Sequence, residues 1–415
     1  MEPFTGFFLF FLFVSLGLEL WLGARQIIRV GAHRTAVPKD FRASIPLRDH
    51  QKAADYTIAK TRLNLLALPY ETVLLLAWTL GGGIDLLDGL WRVSGTFGLF
   101  QGTGVLLCLL VATAVLRLPF ALYGTFVLEE RFGFNRTTAA IFLADYVKSL
   151  LLLLVIGTPL VWVTLWLMET SGSAWWVYVW GVWTCFLFLK LWLYPRLIAP
   201  LFNKFTLLKD ETLKARIGRL AEKCGFVLKE IFVMDGSRRS SHGNAYFTGF
   251  GRSKRIVFFD TLLTSLGAGE IEAVLAHELG HFSRRHVPKL FAASAILALA
   301  GLMVLGWLAD TRWFYSGLGV SQPSMHMALA LFMLVAPVFV TFIRPLASLL
   351  SRRFEYEADR YAAANSDAGM LVQALVKLYQ DNASTLTPDH LYSAFYHSHP
   401  PPALRLARLK ELATG

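Results

Sequence analysis

The sequence predicts a multi-pass α-helical membrane protein that also carries a smaller polar α+β domain. Of its 415 residues, 55% are hydrophobic and 17% are charged, and the mean hydropathy is +0.49. A soluble domain of this length has a more polar composition. Seven nearly uncharged segments are long enough to cross a bilayer. They lie at residues 4–22, 65–84, 97–116, 150–168, 174–189, 290–308 and 327–343.

The first of these segments is expected to remain in the protein as a membrane span. It follows Met1-Glu2-Pro3 rather than a basic region, and Glu19 stands where a signal peptide would have its small-residue cleavage site. With seven spans retained, successive loops alternate between the two sides of the membrane.

Lysine and arginine are concentrated in the loops on one side of this arrangement. The first loop contains nine of them, the third contains Arg131 and Arg136, and residues 196–289 contain sixteen. The opposite-side loops contain only Arg92 and Arg312. The positive-inside rule therefore predicts an outside N-terminus, with the 196–289 loop and the C-terminus in the cytoplasm, in a bacterial inner membrane or an ER-type membrane. This topology accounts for the net charge of +11, so no nucleic-acid partner is expected.

The chain divides into four predicted segments that alternate between membrane and polar regions. Residues 1–195 contain the first five spans, 196–289 form a polar block, 290–350 contain the last two spans, and 351–415 form a second polar block. The two blocks together have roughly 160 residues, which is enough for one compact domain on the cytoplasmic side.

The first polar block combines helix and strand patterns. A helical pattern covers residues 211–224, and strand-like runs follow at 231–234, 245–248 and 255–259. A second helical segment begins at residues 269–276. In this order one strand can form an exposed sheet edge, to which an extended peptide can add as a further strand.

The second helical segment continues into His277-Glu278-Leu279-Gly280-His281. Residues four apart are neighbours on a helix. His277 and His281 are therefore expected to bind one zinc ion, with Glu278 beside the metal as the base for the attacking water. The alternative is a pair of solvated histidines on a surface helix.

A catalytic zinc site normally has three protein ligands and one open position. The best third candidate is Glu355, which follows the seventh predicted span on the cytoplasmic side. Asp359 is four residues further on, so it shares a helical face with Glu355 and can accept a hydrogen bond from a ligating imidazole. The alternative is an ordinary charged helix surface, which is the interpretation that we give to Glu357.

Several motifs of the chain resemble those of the type I CAAX prenyl endopeptidases, which are integral-membrane zinc metalloproteases of the gluzincin class. The resemblance covers nearly the whole chain, and the motifs occur in the family's order. They are residues 51–56 (QKAADY), 132–135 (FGFN), 200–205 (PLFNKF), 244–247 (NAYF), 277–281 (HELGH), 354–359 (FEYEAD), 392–395 (YSAF) and 398–401 (SHPP). The residues just before Asn244 depart from the family's pattern, which leaves the side-chain preference of the peptide groove open.

The resemblance implies roles for the residues already singled out. His277, His281 and Glu355 are implied to hold one Zn²⁺ per chain. Glu278 is implied to act as general base, and Asp359 to support a zinc-binding histidine. The implied fold is one of seven transmembrane helices that enclose a chamber, capped by a zincin-like α+β protease domain.

The resemblance also implies a substrate-binding region. Asn244 and Ala245 are implied to present their backbone to the substrate, while His399 stabilises the oxyanion and Arg405 belongs to the same site. Without the resemblance, His399 before three prolines fits a turn equally well, and Arg405 fits an ordinary helix surface. His286 also matches the family, and we expect a structural role for it rather than that of a fourth ligand.

The sequence thus predicts a zinc-dependent membrane endopeptidase that hydrolyses peptide bonds near the C-terminus of membrane-associated, prenylated CAAX-type substrates. Its expected partners are a peptide or protein substrate and the lipid bilayer. One alternative is a quality-control protease that degrades misfolded membrane proteins with the same chemistry. A more remote alternative is a seven-span receptor or transporter with a structural metal site. Such a site has no use for a base such as Glu278, and it would close its fourth position with another ligand.

Overall fold

Long helices dominate the computed structural model of the protein, which describes residues 2–95, 97–248 and 253–414. The helices before the sheet are α1 (Pro3–Ala32), α2 (Leu47–Trp78), α3 (Gly83–Val93), α4 (Leu99–Tyr123), α5 (Ala139–Thr170), α6 (Trp175–Leu193) and α7 (Ala199–Phe202). The first polar block contains α8 (Glu211–Lys223), α9 (Asp260–Ser265) and α10 (Ala268–Ser283). The remaining helices are α11 (His286–Ala309), α12 (Arg312–Ser316), α13 (Met325–Val340), α14 (Arg344–Asn365), α15 (Ala368–Asp381), α16 (His390–Tyr396) and α17 (Pro402–Thr414).

Within the described ranges, six helical stretches are long and apolar enough to cross a membrane. The bent pair of α2 and α3 makes a seventh if the two helices are counted as one span. Each of these stretches overlaps one of the predicted spans, although most extend beyond it. The prediction of a mostly helical, multi-pass membrane protein is therefore confirmed.

The second predicted span differs from the structure at its end. The sequence pattern predicts one continuous segment over residues 65–84, but the chain bends by 46° between α2 and α3. Gly82 adopts a left-handed conformation with φ +74°, and a Cβ at Gly81 or Gly83 would lie 2.8 Å from the Ala77 carbonyl oxygen. Only glycine tolerates a positive φ and so close a backbone contact without strain. The three consecutive glycines therefore allow the helix to break here.

A four-stranded sheet lies in the first polar block. Its strands are β1 (Phe205–Leu207), β2 (Val227–Met234), β3 (Ala245–Thr248) and β4 (Ser253–Phe259), in the spatial order β1-β2-β4-β3. β2 and β4 are parallel, whereas the two outer pairs are antiparallel. The three predicted strand runs fall within β2, β3 and β4. β3 therefore forms one edge of this sheet, as the predicted order allows.

Helix α10 belongs to a hydrophobic core shared by both polar blocks. Its apolar face contains Ile271, Val274 and Leu275, which pack with residues of α8, β2 and β4 and with residues of α15 and α17. Burial of one face fixes the rotation of the helix about its axis. The histidines of α10 are thereby held on the side that meets α14.

A glycine sets the distance between α10 and α14. A Cβ at Gly280 would lie 2.9 Å from the Cα of Ala358 and 3.1 Å from its carbonyl oxygen. The two helices can approach this closely because Gly280 has no side chain. The approach brings the segment that contains His277 and His281 beside the segment that contains Glu355.

Candidate active site

Three side chains from α10 and α14 converge on one point. One ligand atom each of His277, His281 and Glu355 lies within 4.8 Å of the other two. The Nε2 atoms of the two histidines are 3.3 Å apart. The two oxygens of Glu355 lie 3.5 Å from His277 Nε2 and 3.4 Å from His281 Nε2. Both His277 and Glu355 are buried.

Asp359 fixes the orientation of His277. Its Oδ1 lies 2.8 Å from His277 Nδ1. An ionised carboxylate can only accept a hydrogen bond, so Nδ1 donates and Nε2 of the neutral ring carries a lone pair. The Nε2 lone pair of His277 therefore points into the cluster.

A second pair of residues fixes His281 in the same way. Glu357 Oε2 lies 3.1 Å from His286 Nε2, and His286 Nδ1 lies 2.9 Å from His281 Nδ1. The Glu357 carboxylate accepts from His286 Nε2, so His286 Nδ1 is left as an acceptor. His281 Nδ1 must then donate, which leaves its Nε2 as a lone pair. The interpretation of Glu357 as mere helix surface is therefore wrong.

With the protonated nitrogen of each histidine assigned, the three side chains can be compared with the donor set of a metal site. With both rings neutral, the two Nε2 lone pairs face each other at 3.3 Å beside a buried carboxylate, and this arrangement is favourable only when a proton or a metal cation lies between them. Two imidazole nitrogens and one carboxylate oxygen are a donor set that suits zinc. Glu355 Oε2 has no hydrogen-bond partner within the described ranges. The arrangement therefore fits a zinc ion.

The electrostatics of His277 agree with this interpretation. Burial opposes protonation of its ring, but the contacts with Asp359 and Glu355 outweigh burial and raise its pKa to about 9. A raised pKa means that the surroundings of the ring stabilise a positive charge there. The same surroundings would stabilise the positive charge of a zinc ion.

Arg405 of α17 is a buried member of the same cluster. Its Nη2 and Nε lie 2.7 Å and 2.9 Å from the two oxygens of Asp359, which is a bidentate pair. Burial alone would lower the pKa of the Arg405 guanidinium, but Asp359 raises it. The helix-surface interpretation of Arg405 is therefore wrong, because its side chain is 6% exposed.

His399 lies at the open side of the cluster. Its side chain is 65% exposed, and its Nδ1 lies 2.7 Å from Glu355 Oε2 without forming a hydrogen bond. Arg352 holds the preceding segment, because its Nη1 donates to the backbone carbonyls of Ser393, Ala394 and His397 at 3.0–3.3 Å. Sequence reasoning missed Arg352, whose charge next to a membrane span gives no sign of this contact.

Glu278 is partly exposed, and its side chain makes no hydrogen bond or ion pair to any residue that the structure describes. It is the only residue between the two histidines in the motif that can accept a proton. It follows His277 directly in the sequence of α10. A carboxylate without a competing partner is suited to act as a base.

Asn244 and Ala245 lie at the edge strand rather than in the cluster. Phe259 N donates to the Asn244 carbonyl at 3.0 Å, so Asn244 points its backbone toward β4. Because backbone groups alternate in direction along a strand, the N–H and C=O of Ala245 point away from β4. The Asn244 side chain accepts from Ala245 N at 2.8 Å. In the described residues, neither Asn244 nor Ala245 makes a hydrogen bond or ion pair with His277, His281 or Glu355.

Comparisons with known proteins place these features in a family. Residues 26–204 match the family model described as CAAX prenyl protease N-terminal, five membrane helices, and residues 207–413 match peptidase family M48. The CAAX prenyl protease 1 homolog of Arabidopsis thaliana is 34% identical, over 97% of this chain and 97% of its own. CAAX prenyl protease 1 of Saccharomyces cerevisiae is 32% identical, over 96% and 93%.

A solved structure is similar over the same length. The crystal structure of S. mikatae Ste24p aligns with a TM-score of 0.88 and 31% identity, and the alignment covers 99% of each chain. These matches favour a peptidase over a seven-span receptor or transporter. The chain belongs to the M48 peptidases of the CAAX prenyl protease 1 family, and it is a membrane metalloprotease.

Proposed function

We propose that the protein is a zinc endopeptidase that cleaves near the C-terminus of membrane-associated substrates, and that these substrates carry a prenylated cysteine in a CAAX sequence. The observation that carries the proposal is the convergence of His277 Nε2 and His281 Nε2, which are 3.3 Å apart, beside the Glu355 carboxylate. The relatives named CAAX prenyl protease 1 supply the substrate class.

His277, His281 and Glu355 hold one zinc ion per chain in this proposal. When bound, zinc supplies Lewis acidity that polarises the scissile carbonyl and lowers the pKa of the attacking water to about 7. Asp359 and His286 keep the two imidazoles in the tautomer that presents Nε2. Arg405 balances the charge of Asp359, so the buried carboxylate stays ionised and continues to accept from His277.

Glu278 acts as the general base. It takes the proton of the attacking water and passes it to the leaving amine. Proton transfer by a positioned carboxylate contributes roughly 10² to 10⁴ in rate. His399 donates a hydrogen bond to the tetrahedral oxyanion, for which its exposed ring and its 2.7 Å approach to Glu355 are suitable.

The substrate peptide pairs with the free edge of β3. The N–H and C=O of Ala245 point away from β4 and are free to bond an extended peptide, once the Asn244 side chain releases Ala245 N. In the free enzyme the Asn244 side-chain oxygen thus occupies the acceptor position that a backbone carbonyl of the substrate would take. Edge pairing would hold a peptide by its backbone and accept many side chains.

The proposed architecture has seven transmembrane helices that enclose a chamber, with a zincin-like α+β protease domain as its cap. The protease domain consists of residues 196–289 and 351–415, and the spans lie in residues 1–195 and 290–350. The N-terminus faces outside, and the protease domain and C-terminus face the cytoplasm. The prenyl group of the substrate would lie toward the chamber.

The test is a cleavage assay on a farnesylated CAAX peptide, with the same peptide lacking the farnesyl group as control and products identified by mass. We expect zinc-dependent release of the last three residues from the farnesylated peptide. Equal cleavage of both peptides, or cleavage only of an unprenylated membrane protein, would replace the proposal with the quality-control alternative. No zinc in the purified protein would overturn the site itself.

A further inference from the structure

A basic and aromatic cavity lies where α6 leaves the membrane region. Its volume is about 580 Å³, which is typical of small-molecule sites. The cavity is bounded by the end of α6 on one side and by β1, β2 and β4 on the other. The residues that line it include Trp192, Arg196, Lys204, Phe205 and Arg255.

The length of α6 indicates where this cavity lies relative to a bilayer. α6 has 19 residues and extends from Trp175 to Leu193. At 1.5 Å per residue the helix is about 28 Å long, close to the roughly 30 Å of a hydrocarbon layer. Beyond Leu193 the helix widens into a π-helical turn at Tyr194–Ile198 that contains Pro195. The cavity opens beside this turn, which we expect to lie at the depth of lipid headgroups.

Two of the three cations that line the cavity have no ion-pair partner among the described residues. Arg255 is paired, since its Nη2 lies 2.9 Å from Glu230 Oε2. In the part of the chain that the structure describes, neither the Arg196 guanidinium nor the Lys204 ammonium takes part in an ion pair. Arg196 instead lies 4.7 Å from the centre of the Trp192 ring, which leaves its N–H donors available. The cavity therefore has two uncompensated positive charges.

The surface next to the cavity is apolar on its membrane side. Leu191 and Trp192 are 47% and 42% exposed, and the Phe205 and Phe232 rings meet edge to face at 6.5 Å. A ligand that complements both the basic cavity and this apolar surface must carry a negative headgroup and a hydrocarbon tail. Basic pockets at the cytoplasmic boundary of membrane proteins suit such lipids.

We propose that this cavity is a binding site for an anionic phospholipid, with the phosphate held by Arg196 and Lys204 and an acyl chain lying along Leu191 and Trp192 of α6. This site is independent of the zinc-binding residues. A bound lipid would join the end of α6 to β1, which contains Phe205, and thus attach the sheet to the membrane surface.

The test measures lipid binding to the purified full-length protein by native mass spectrometry. The probes are dioleoyl phosphatidic acid and dioleoyl phosphatidylcholine, which differ in headgroup and not in chain. We expect the wild type to prefer phosphatidic acid. The double variant Arg196→Gln, Lys204→Gln should weaken phosphatidic acid binding by roughly 25-fold, about fivefold for each cation.

A matched control removes the same charge elsewhere. Lys209→Gln with Arg219→Gln alters two exposed cations of the same polar block that do not line the cavity, and it should keep the preference. The proposal fails if the cavity variant retains the preference or if the control loses it equally. Complete displacement of phosphatidic acid by inorganic phosphate at the same concentration would also overturn it, because the site would then recognise phosphate without the lipid.

Discussion

Replacing His286 with leucine should weaken zinc binding although His286 is not one of the three proposed zinc ligands. His286 is 1% exposed, its ring stacks on Phe354 at 4.2 Å, and its Nδ1 accepts from His281 Nδ1 at 2.9 Å. A leucine side chain fills much of the volume of the imidazole but cannot accept a hydrogen bond. His281 can then place its proton on Nε2 instead, facing Glu355 Oε1 at 3.4 Å. In that tautomer His281 has no lone pair for the metal.

The expected magnitude follows from the lost acceptor. Leaving a buried donor without its partner costs about 1–3 kcal/mol. At 1.4 kcal/mol for each factor of ten, this corresponds to roughly 5- to 150-fold in zinc affinity. The range agrees with the roughly 10- to 100-fold that outer partners of ligating histidines contribute in other metal sites.

The assay is competition for zinc against a chromophoric chelator, with purified protein from which the metal has been removed. The matched control is His286→Asn, because an asparagine oxygen can occupy the place of Nδ1 and accept from His281. Both variants lose the stacking on Phe354, so only the acceptor distinguishes them. We expect leucine to weaken binding and asparagine to restore most of it. Wild-type affinity in the leucine variant, or equal loss in both, would refute the reasoning.

Three further predictions concern the reaction, the substrate and the topology. Glu278→Gln should keep zinc but lose roughly 10² to 10⁴ in kcat, and a folded, zinc-loaded variant with normal turnover would exclude Glu278 as the base. Ala245→Pro should lower kcat/KM about tenfold while Ala245→Ser does not, since only proline removes the N–H at the free edge. Normal cleavage by Ala245→Pro, together with normal cleavage by Asn244→Ala, would show that substrate is held elsewhere. Cys224 and a cysteine introduced by Ala413→Cys should react with an impermeant reagent from the same side of the membrane, and labelling from opposite sides would contradict the proposed site.

Local patterns in the sequence were sufficient for much of the fold and for the centre of the site. The spans are visible because lipid requires long uncharged segments. His277 and His281 are visible because their spacing of four matches the period of a helix. Asp359 could be linked to Glu355 for the same reason. The strand β1 was missed, because three residues are too few to show an alternating pattern.

The contacts that complete the site could not be read from local patterns. His286 and Glu357 are 71 residues apart, and Arg405 and Asp359 are 46 residues apart. Glu357 and Arg405 alone resemble ordinary surface residues, because a charge on a helix gives no information about a partner in a distant part of the chain. Only the packing of α10, α11, α14 and α17 brings these groups together. Long-range packing therefore decides which charged residues orient the ligands.

The packing of α10 against α14 leads to a last prediction, which concerns Gly280. A Cβ at this position would lie 2.9 Å from the Ala358 Cα and 3.1 Å from Tyr361 Cβ. The first contact is with backbone, so relief requires the two helices to separate rather than a side chain to turn. Overpacking of this kind costs about 1–3 kcal/mol. Because the ligands come from both helices, the separation also moves Glu355 away from His277 and His281.

Gly280→Ala should therefore lower both the melting temperature and the zinc affinity, although alanine is the better helix former. Gly218→Ala in α8 is the matched control, because a Cβ at Gly218 meets nothing within 4 Å. That change should raise stability by up to about 1 kcal/mol through helix propensity and leave zinc affinity unchanged. Calorimetry and chelator competition on both variants separate the two effects. If Gly280→Ala behaves like Gly218→Ala, then the close approach at Ala358 does not set the position of the third ligand, and another contact between α10 and α14 must do so.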